Sequence, residues 1–563
     1  MIQGYTYHMP GKAWMRRTAD AMLVILFMLS VAWCFWYYTI GATWWQDETY
    51  QTLICRHYLH SPVTVLSAWT GNVWMRLFGD NLLSMRILSG LCYLLSTAIT
   101  TGYFWRVCRN WRWTLLLAIV MIFTFRVHGI RFYGWDAGTI PFTAALSVTA
   151  FSCVSSPKIW KIIIGGVLCA LVGLGRMPSL ALALPMLLLV VAAGWGKSPG
   201  KAMAAGALGL SVCVAAGLLL IVAFYGSVGA YVHYFETSGV ISGHGTEMWS
   251  RILWHELWHD ITLFFHNNIA GDLCLGVSLM LIARYSKYAL CITLLTVVLI
   301  LLPGVKYVEF IPKFFIWAVM AACLPVRKYI SRKETHLNIT LLVIAAGCCF
   351  IPAVGSDRLL LRTEFGMTFP LLMIMLYPYR NGILLWMMVA VIMAASLRLG
   401  VMTVRICASD DVAAVEMPGH RGIKDSSWGR DFLGTIYHEA ARCRGFGRVG
   451  YFGWGRYIPI YFFAPDDTFC INEFHYRDAG YTRELIRRFA THYDAVFVMP
   501  EQTDCFYGET LDAEMCAAGF ELAPSGWDVP RDEFRLYVRA DMISGPEAAC
   551  CDDFDAVEYT QKE

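Results

Sequence analysis

Three short segments set acids or a cation where apolar runs begin or end. Trp44-Trp45-Gln46-Asp47-Glu48-Thr49-Tyr50 follows the first apolar run, and Arg131-Phe132-Tyr133-Gly134-Trp135-Asp136 leads into a later one. Gly173-Leu174-Gly175-Arg176-Met177-Pro178-Ser179 breaks two runs apart. A carboxylate can take a proton from a hydroxyl in a transition state, and a guanidinium matches the oxygens of a phosphate. Each segment also has a plainer reading. Asp47 and Glu48 read equally as solvated loop acids above a Trp belt. Asp136 reads as a cap favoured by the helix dipole, and Arg176 as a cation whose head reaches out of lipid to water. The plainer readings do not predict acids at helix ends in apolar surroundings, where a charge is costly and usually functional.

Histidines form a competing group. Residues 226–268 hold His233, His244, His255, His259 and His266 among several acids, and His255-Glu256-Leu257-Trp258-His259 spells H-E-x-x-H. On a helix that spacing turns both imidazoles to one face, where they can grip zinc with the Glu as base. Three readings stay open: a zinc metalloprotease, a divalent-metal or substrate site that His255 and His259 add to another enzyme, and an amphipathic interfacial helix. No motif for a third ligand follows downstream. Further on, Pro352-Ala353-Val354-Gly355-Ser356-Asp357-Arg358 is a polar turn whose Arg358 suits a phosphate or sugar hydroxyls, or is simply exposed.

The elements that must position these residues lie in lipid. The chain of 563 residues is 57% hydrophobic and 15% charged, against about 45–50% and about 25% for soluble globular chains. Its net charge of +3 comes without a basic, aromatic-laced face, which excludes a nucleic-acid partner. The charges are unevenly spread: 28 acids and 16 bases from Arg405 onward, 14 and 29 before it. Residues 1–404 are therefore expected to form a polytopic α-helical membrane domain and 405–563 a soluble domain. About thirteen apolar runs are long enough, or nearly so, to cross a bilayer. The first, Ala21–Ile40, is retained rather than cleaved as a signal peptide.

Lys and Arg favour cytoplasmic loops. Lys12/Arg16/Arg17, Arg106/Arg109/Arg112, Lys158/Lys161, Lys197/Lys201, Arg284/Lys287, Arg327/Lys328/Arg332/Lys333 and Arg380 mark every second connection. That register predicts a multi-pass plasma (inner) membrane protein with a cytoplasmic N-terminus and an extracytoplasmic C-terminal domain. Asp47, Asp136 and Arg176 then share the outer side, and only Asp20 and Glu334 fall clearly inside. In the C-terminal domain Val449–Phe452, Ile458–Phe463, Ala495–Met499 and Phe534–Val538 read as strands, and Tyr481–His492 and Thr510–Ala518 as helices, giving an α/β fold. Seven cysteines lie there, where disulfides are permitted.

An Asp-Glu pair after the first span, an Asp opening the fourth, and a Gly/basic/Pro break before the sixth resemble the GT-C superfold of membrane glycosyltransferases. The resemblance is to the branch of aminoarabinose transferases, protein O-mannosyltransferases and rhizobial lipopolysaccharide glycosyltransferases, and it covers roughly residues 20–400 in layout. It implies that Asp47 is the catalytic base, with Glu48 its companion and Asp136 a second acid. Arg176 stands where the family has Lys, a departure that leaves a cation for the lipid phosphate. Arg131, Tyr133, Arg358, His255 and His259 are the further candidates for substrate contact. The implied reaction moves a sugar from a polyprenyl-phosphate donor to a hydroxyl of a glycan, lipid or protein. A transporter or flippase of lipid-linked glycans is the non-enzyme alternative.

Overall fold

The computed structural model describes residues 11–40, 46–127, 133–180, 183–184, 187, 198–237, 401, 409, 411–417, 419–431, 433–434, 449–452, 470–471, 493–498, 510–523 and 535–543. Nine helices are described in the first part: α1 (Gly11–Tyr38), α2 (Gln46–Arg56), α3 (Val65–Phe78), α4 (Leu82–Cys108), α5 (Trp111–Val127), α6 (Trp135–Ser155), α7 (Ile159–Gly175), α8 (Pro199–Tyr225) and α9 (Val228–Thr237). The apolar runs expected near 20–40, 85–105, 113–126, 139–156, 161–175 and 202–225 fall on α1 and α4 to α8. The runs expected from 268 to 403 lie outside the described residues except for Val401, and so does most of 179–195. Three helices were not anticipated, α2, α3 and α9. At 11 and 14 residues, α2 and α3 are too short for a search keyed to bilayer-spanning length.

Local chemistry sets the ends of the long helices. The Asn81 side chain accepts from Ser84 N–H at 2.8 Å and opens α4. Its other end turns at Arg109, a non-glycine residue at φ 51°, before α5 begins two residues later. Helix α8 starts with Pro199 and stops at Gly226, whose φ of 77° is one glycine adopts without a Cβ clash. Helices α7 and α8 approach closely: a Cβ on Gly166 would stand 2.5 Å from the Gly209 carbonyl oxygen. Small residues allow that approach in lipid, where no hydrophobic drive brings helices together.

Helix α8 identifies the solvent. It is 27 residues long and strongly apolar, yet only 11% of its most apolar stretch is buried. Met203 and Leu219 are 76% and 71% exposed. A core helix of a soluble protein would be covered, and an open apolar face of this length suits acyl chains. Helix α4 is also long and apolar enough to span, with 61% of its window buried. One exception to the charge rule is explained at the other end of the bundle: Asp20 on α1 receives Arg112 of α5 through two bonds of 2.6 and 2.8 Å.

The C-terminal part contains a five-stranded sheet in the order β4-β3-β5-β7-β6, from β3 (Val449–Phe452), β4 (Cys470–Ile471), β5 (Ala495–Val498), β6 (Phe520–Leu522) and β7 (Arg535–Arg539). Strands β3, β4 and β5 run parallel, and β7 is antiparallel to both β5 and β6. Helix α10 (Thr510–Ala517) packs beside β6, and the Tyr537 hydroxyl bonds Asp512 of that helix; α11 (Ala540–Ile543) closes the described chain. The described residues supply strands at the expected 449–452, 495–498 and 535–538 and a helix at 510–517, while Ile458–Phe463 and Tyr481–His492 lie outside them. The short strands β4 and β6 were not expected.

A hairpin of β1 (Ala413–Ala414) and β2 (Lys424–Asp425) reaches the helical bundle itself. Leu82 N–H donates to the Gly419 carbonyl and Lys424 N–H to the Thr39 carbonyl, both at 2.8 Å, and Lys424 pairs with Ile40 in a β-bridge. The hairpin thus sits where α1 stops and α4 starts.

Candidate active site at one end of the helical bundle

The same end of the bundle gathers α2, α3, the start of α6 and the end of α7. Helix α3 is the hub. Ser67, nearly fully buried, donates from its hydroxyl to the Gly175 carbonyl at 2.9 Å, and its own carbonyl accepts from the Tyr133 hydroxyl at 2.9 Å. Gly175 precedes Arg176, and Tyr133 stands three residues before Asp136. One residue of α3 therefore ties together two of the three segments singled out in the sequence, through its side chain to one and its backbone to the other.

The third segment joins through α2. A Cβ on Gly134 would meet Gln51 of α2 at 2.8 Å, and one on Gly138 would meet the Ser67 and Tyr133 oxygens at 2.6 and 2.7 Å. A Cβ on Gly71 of α3 would strike the Cys55 sulfur of α2. These glycines allow α2, α3 and α6 to approach closely. Burial, with the Asp80 carboxylate adding to it, pushes the Cys55 thiol above its ordinary range. Burial likewise holds the Tyr133 phenol protonated.

Helix α2 is pinned by charge as well as by packing. Glu48 accepts from Arg86 of α4 on both carboxylate oxygens, at 2.6 Å from Nε and 2.8 Å from Nη2. The two side chains are 2% and 0% exposed. Arg86 also donates to the Ile40 carbonyl at 3.3 Å, tying the end of α1 into the same cluster. At the other end of α2, Arg56 bonds Asp80 at 2.7 Å, and Asn72 of α3 donates to the Arg56 carbonyl at 3.3 Å.

Of the residues expected to act, Glu48, Tyr133 and Arg176 have described side chains at this end. Arg176 is 4% exposed and caps the C-terminus of α7, where its N–H donates to the Val172 carbonyl. It is a buried cation held within the fold rather than one reaching for water. Asp47 is the second residue of α2 and Asp136 the second of α6. Arg131, Arg358, His255 and His259 lie outside the described residues. Among the described residues no three His, Cys, Asp or Glu side chains form a metal-binding group. Sequence reasoning missed Arg86, Ser67 and Gln51. For Arg86 a signal was present: a cation inside the apolar run of α4 needs a partner.

No protein-family model and no curated protein matches the chain. Two solved structures are similar, both crystal structures of ArnT from Cupriavidus metallidurans. The apo form shares 15% identity at a TM-score of 0.43, covering 94% of this chain and all (100%) of that one. The form bound to undecaprenyl phosphate shares 14% at a TM-score of 0.43, covering 93% and 99%. At this identity the match assigns no chemistry to individual side chains.

Proposed function

We propose that the chain is a GT-C-type glycosyltransferase that moves a sugar from a polyprenyl-phosphate donor to an acceptor hydroxyl on the extracytoplasmic side of the membrane. The observation that carries this reading is the buried two-pronged Glu48–Arg86 ion pair on the Asp47 helix, beside the segments that bear Asp136 and Arg176. Successive positions on an α-helix are rotated by about 100°, so fixing Glu48 fixes the rotation of α2 and with it the face that holds position 47. Gln51 is one turn further along that face, and Gln51 is the residue packed against Gly134 at the start of α6. That packing of Gln51 against Gly134 supports the pairing of α2 with the start of α6 in this reading.

In the proposed step the acceptor oxygen attacks C1 of the sugar as its proton passes to the Asp47 carboxylate. The bond from C1 to the phosphate oxygen breaks, and polyprenyl phosphate leaves with the electron pair. Arg176 neutralises the charge gathering on that phosphate, and Asp136 orients the acceptor or the base. Glu48 is given a positioning role, since both its oxygens are occupied by Arg86. A donor that travels in the bilayer suits an active site at the end of a lipid-embedded bundle, because nucleotide sugars are made on the cytosolic side.

Asp47→Asn tests the reading. Membranes carrying this variant should lose sugar transfer from a polyprenyl-phosphate donor by at least about 100-fold, the lower range for a positioned general base. Retention of full transfer in that variant refutes the assignment.

A further inference from the structure

We propose that the C-terminal hairpin, residues 413–425, is a positioning element of the Asp47 helix, so that the soluble part of the chain completes the acid site rather than merely accompanying it. The inference deepens the glycosyltransferase reading and rests on it for its kinetic consequence.

The connection can be followed bond by bond. Lys424 N–H donates to the Thr39 carbonyl, and Lys424 pairs with Ile40, fixing the extended end of α1. The Ile40 carbonyl accepts from Arg86, and Arg86 grips Glu48 beside Asp47. A second contact holds the hairpin in register. The Gly419 carbonyl takes Leu82 N–H, one of the first amides of α4, which has no partner within its own helix. Gly422, at φ 82°, lies so close to Leu83 that a Cβ would stand 2.7 Å from its Cδ2. The hairpin is built for the contact from inside: Val415 N–H bonds the Ile423 carbonyl and Ile423 N–H the His420 carbonyl, and Ile423 and His420 are fully buried. Helix α4 carries both Leu82 and Arg86, so docking the hairpin holds the helix that holds Glu48.

The full-length protein, purified in detergent, allows the test. Lys424→Pro removes the one N–H that reaches Thr39 and leaves the exposed side-chain position open to solvent. Arg421→Ala, at an exposed position of the same hairpin, is the control. Hydrogen exchange reports undocking at the Leu82 amide, and the amides of β5 and β7 report whether the sheet remains folded. Site-resolved alkylation of Cys55 reports the seating of α2, independently of any sugar transfer. The expected result for Lys424→Pro is faster exchange at Leu82 with an unchanged sheet and Cys55 alkylation at least about fivefold faster, the shift one lost hydrogen bond allows. Transfer should show a fall in kcat with KM unchanged, and Arg421→Ala should match the parent in every readout. Faster exchange at Leu82 with parental Cys55 alkylation overturns the proposal, as does faster alkylation with unchanged kcat. Should the parent protein itself transfer no sugar, the glycosyltransferase reading fails, while the exchange and alkylation arms still decide whether the hairpin seats α2.

Discussion

The Glu48–Arg86 pair can be tested by a double-mutant cycle with Glu48→Leu and Arg86→Met. Both side chains are within 2% of full burial, and both carboxylate oxygens are used. Removing one partner leaves the other as a buried, uncompensated charge, which costs about 3–5 kcal/mol, whereas an exposed pair would cost about 0–1 kcal/mol. The double variant replaces both charges with apolar groups and should recover most of the loss. The Arg86 bond to the Ile40 carbonyl is not restored, which leaves a deficit of about 1 kcal/mol. The coupling read from the cycle should therefore be several kcal/mol, measured by denaturant unfolding in mixed micelles. Transfer should stay low in the double variant, since apolar packing does not fix the rotation of α2 as a two-pronged ion pair does. Single substitutions costing about 1 kcal/mol or less, and adding without coupling, would refute the view that this pair anchors the helix.

Three further outcomes follow from the same end of the molecule and from the C-terminal part. Gly138→Ala puts a methyl group against the Ser67 and Tyr133 oxygens. It should cost about 1–3 kcal/mol in the same unfolding assay, as overpacked cores do, and a neutral result would mean α3 and α6 are further apart. The Cys55 thiol is raised by burial and so remains protonated at pH 8, and it should resist maleimide while the exposed free Cys516 reacts; comparable rates would show that α2 is not seated. Asp411 accepts from the Ser427 hydroxyl and backbone N–H, with Arg430 nearby, and its folded pKa is lowered. A lowered carboxylate stabilises the fold above its unfolded pKa and loses that contribution as pH falls through the folded value. NMR titration should therefore show Asp411 titrating below a free aspartate, and Ser427→Ala should move it back up.

How much of this was legible in the sequence depends on the length scale of each signal. The two long apolar helices α4 and α8 announced themselves because lipid demands about 20 apolar residues in a row, and the strand at Val449–Phe452 because alternation is read over a few positions. Helices α2 and α3 gave neither signal. They are held by contacts with segments far away in the chain, such as the 108-residue reach from Ser67 to Gly175, and no local pattern encodes that. The same holds for the β1–β2 hairpin, whose partners on α1 and α4 lie more than 300 positions earlier. The acids and Arg176 were visible as residue types in unlikely places. What organises them was not, because Ser67, Gln51 and the close-packed Gly71, Gly134 and Gly138 look ordinary until their neighbours are known.

The pairing of Glu48 with Arg86 also bears on why two adjacent acids occur on α2 at all. A carboxylate gripped on both oxygens by a guanidinium is fixed in one orientation and is not free to turn toward an acceptor hydroxyl. Dividing the tasks between neighbours removes the conflict. Glu48, committed to Arg86, fixes the helix, and position 47, rotated by about 100°, lies on a different face. The division predicts asymmetric chemistry at the two positions. Glu48→Asp shortens the reach to Arg86 and should lower stability and transfer together, whereas Asp47→Asn, nearly isosteric, should abolish transfer while leaving unfolding unchanged. Equal losses of stability at both positions would mean that both acids serve the fold, and the base would then have to be sought elsewhere.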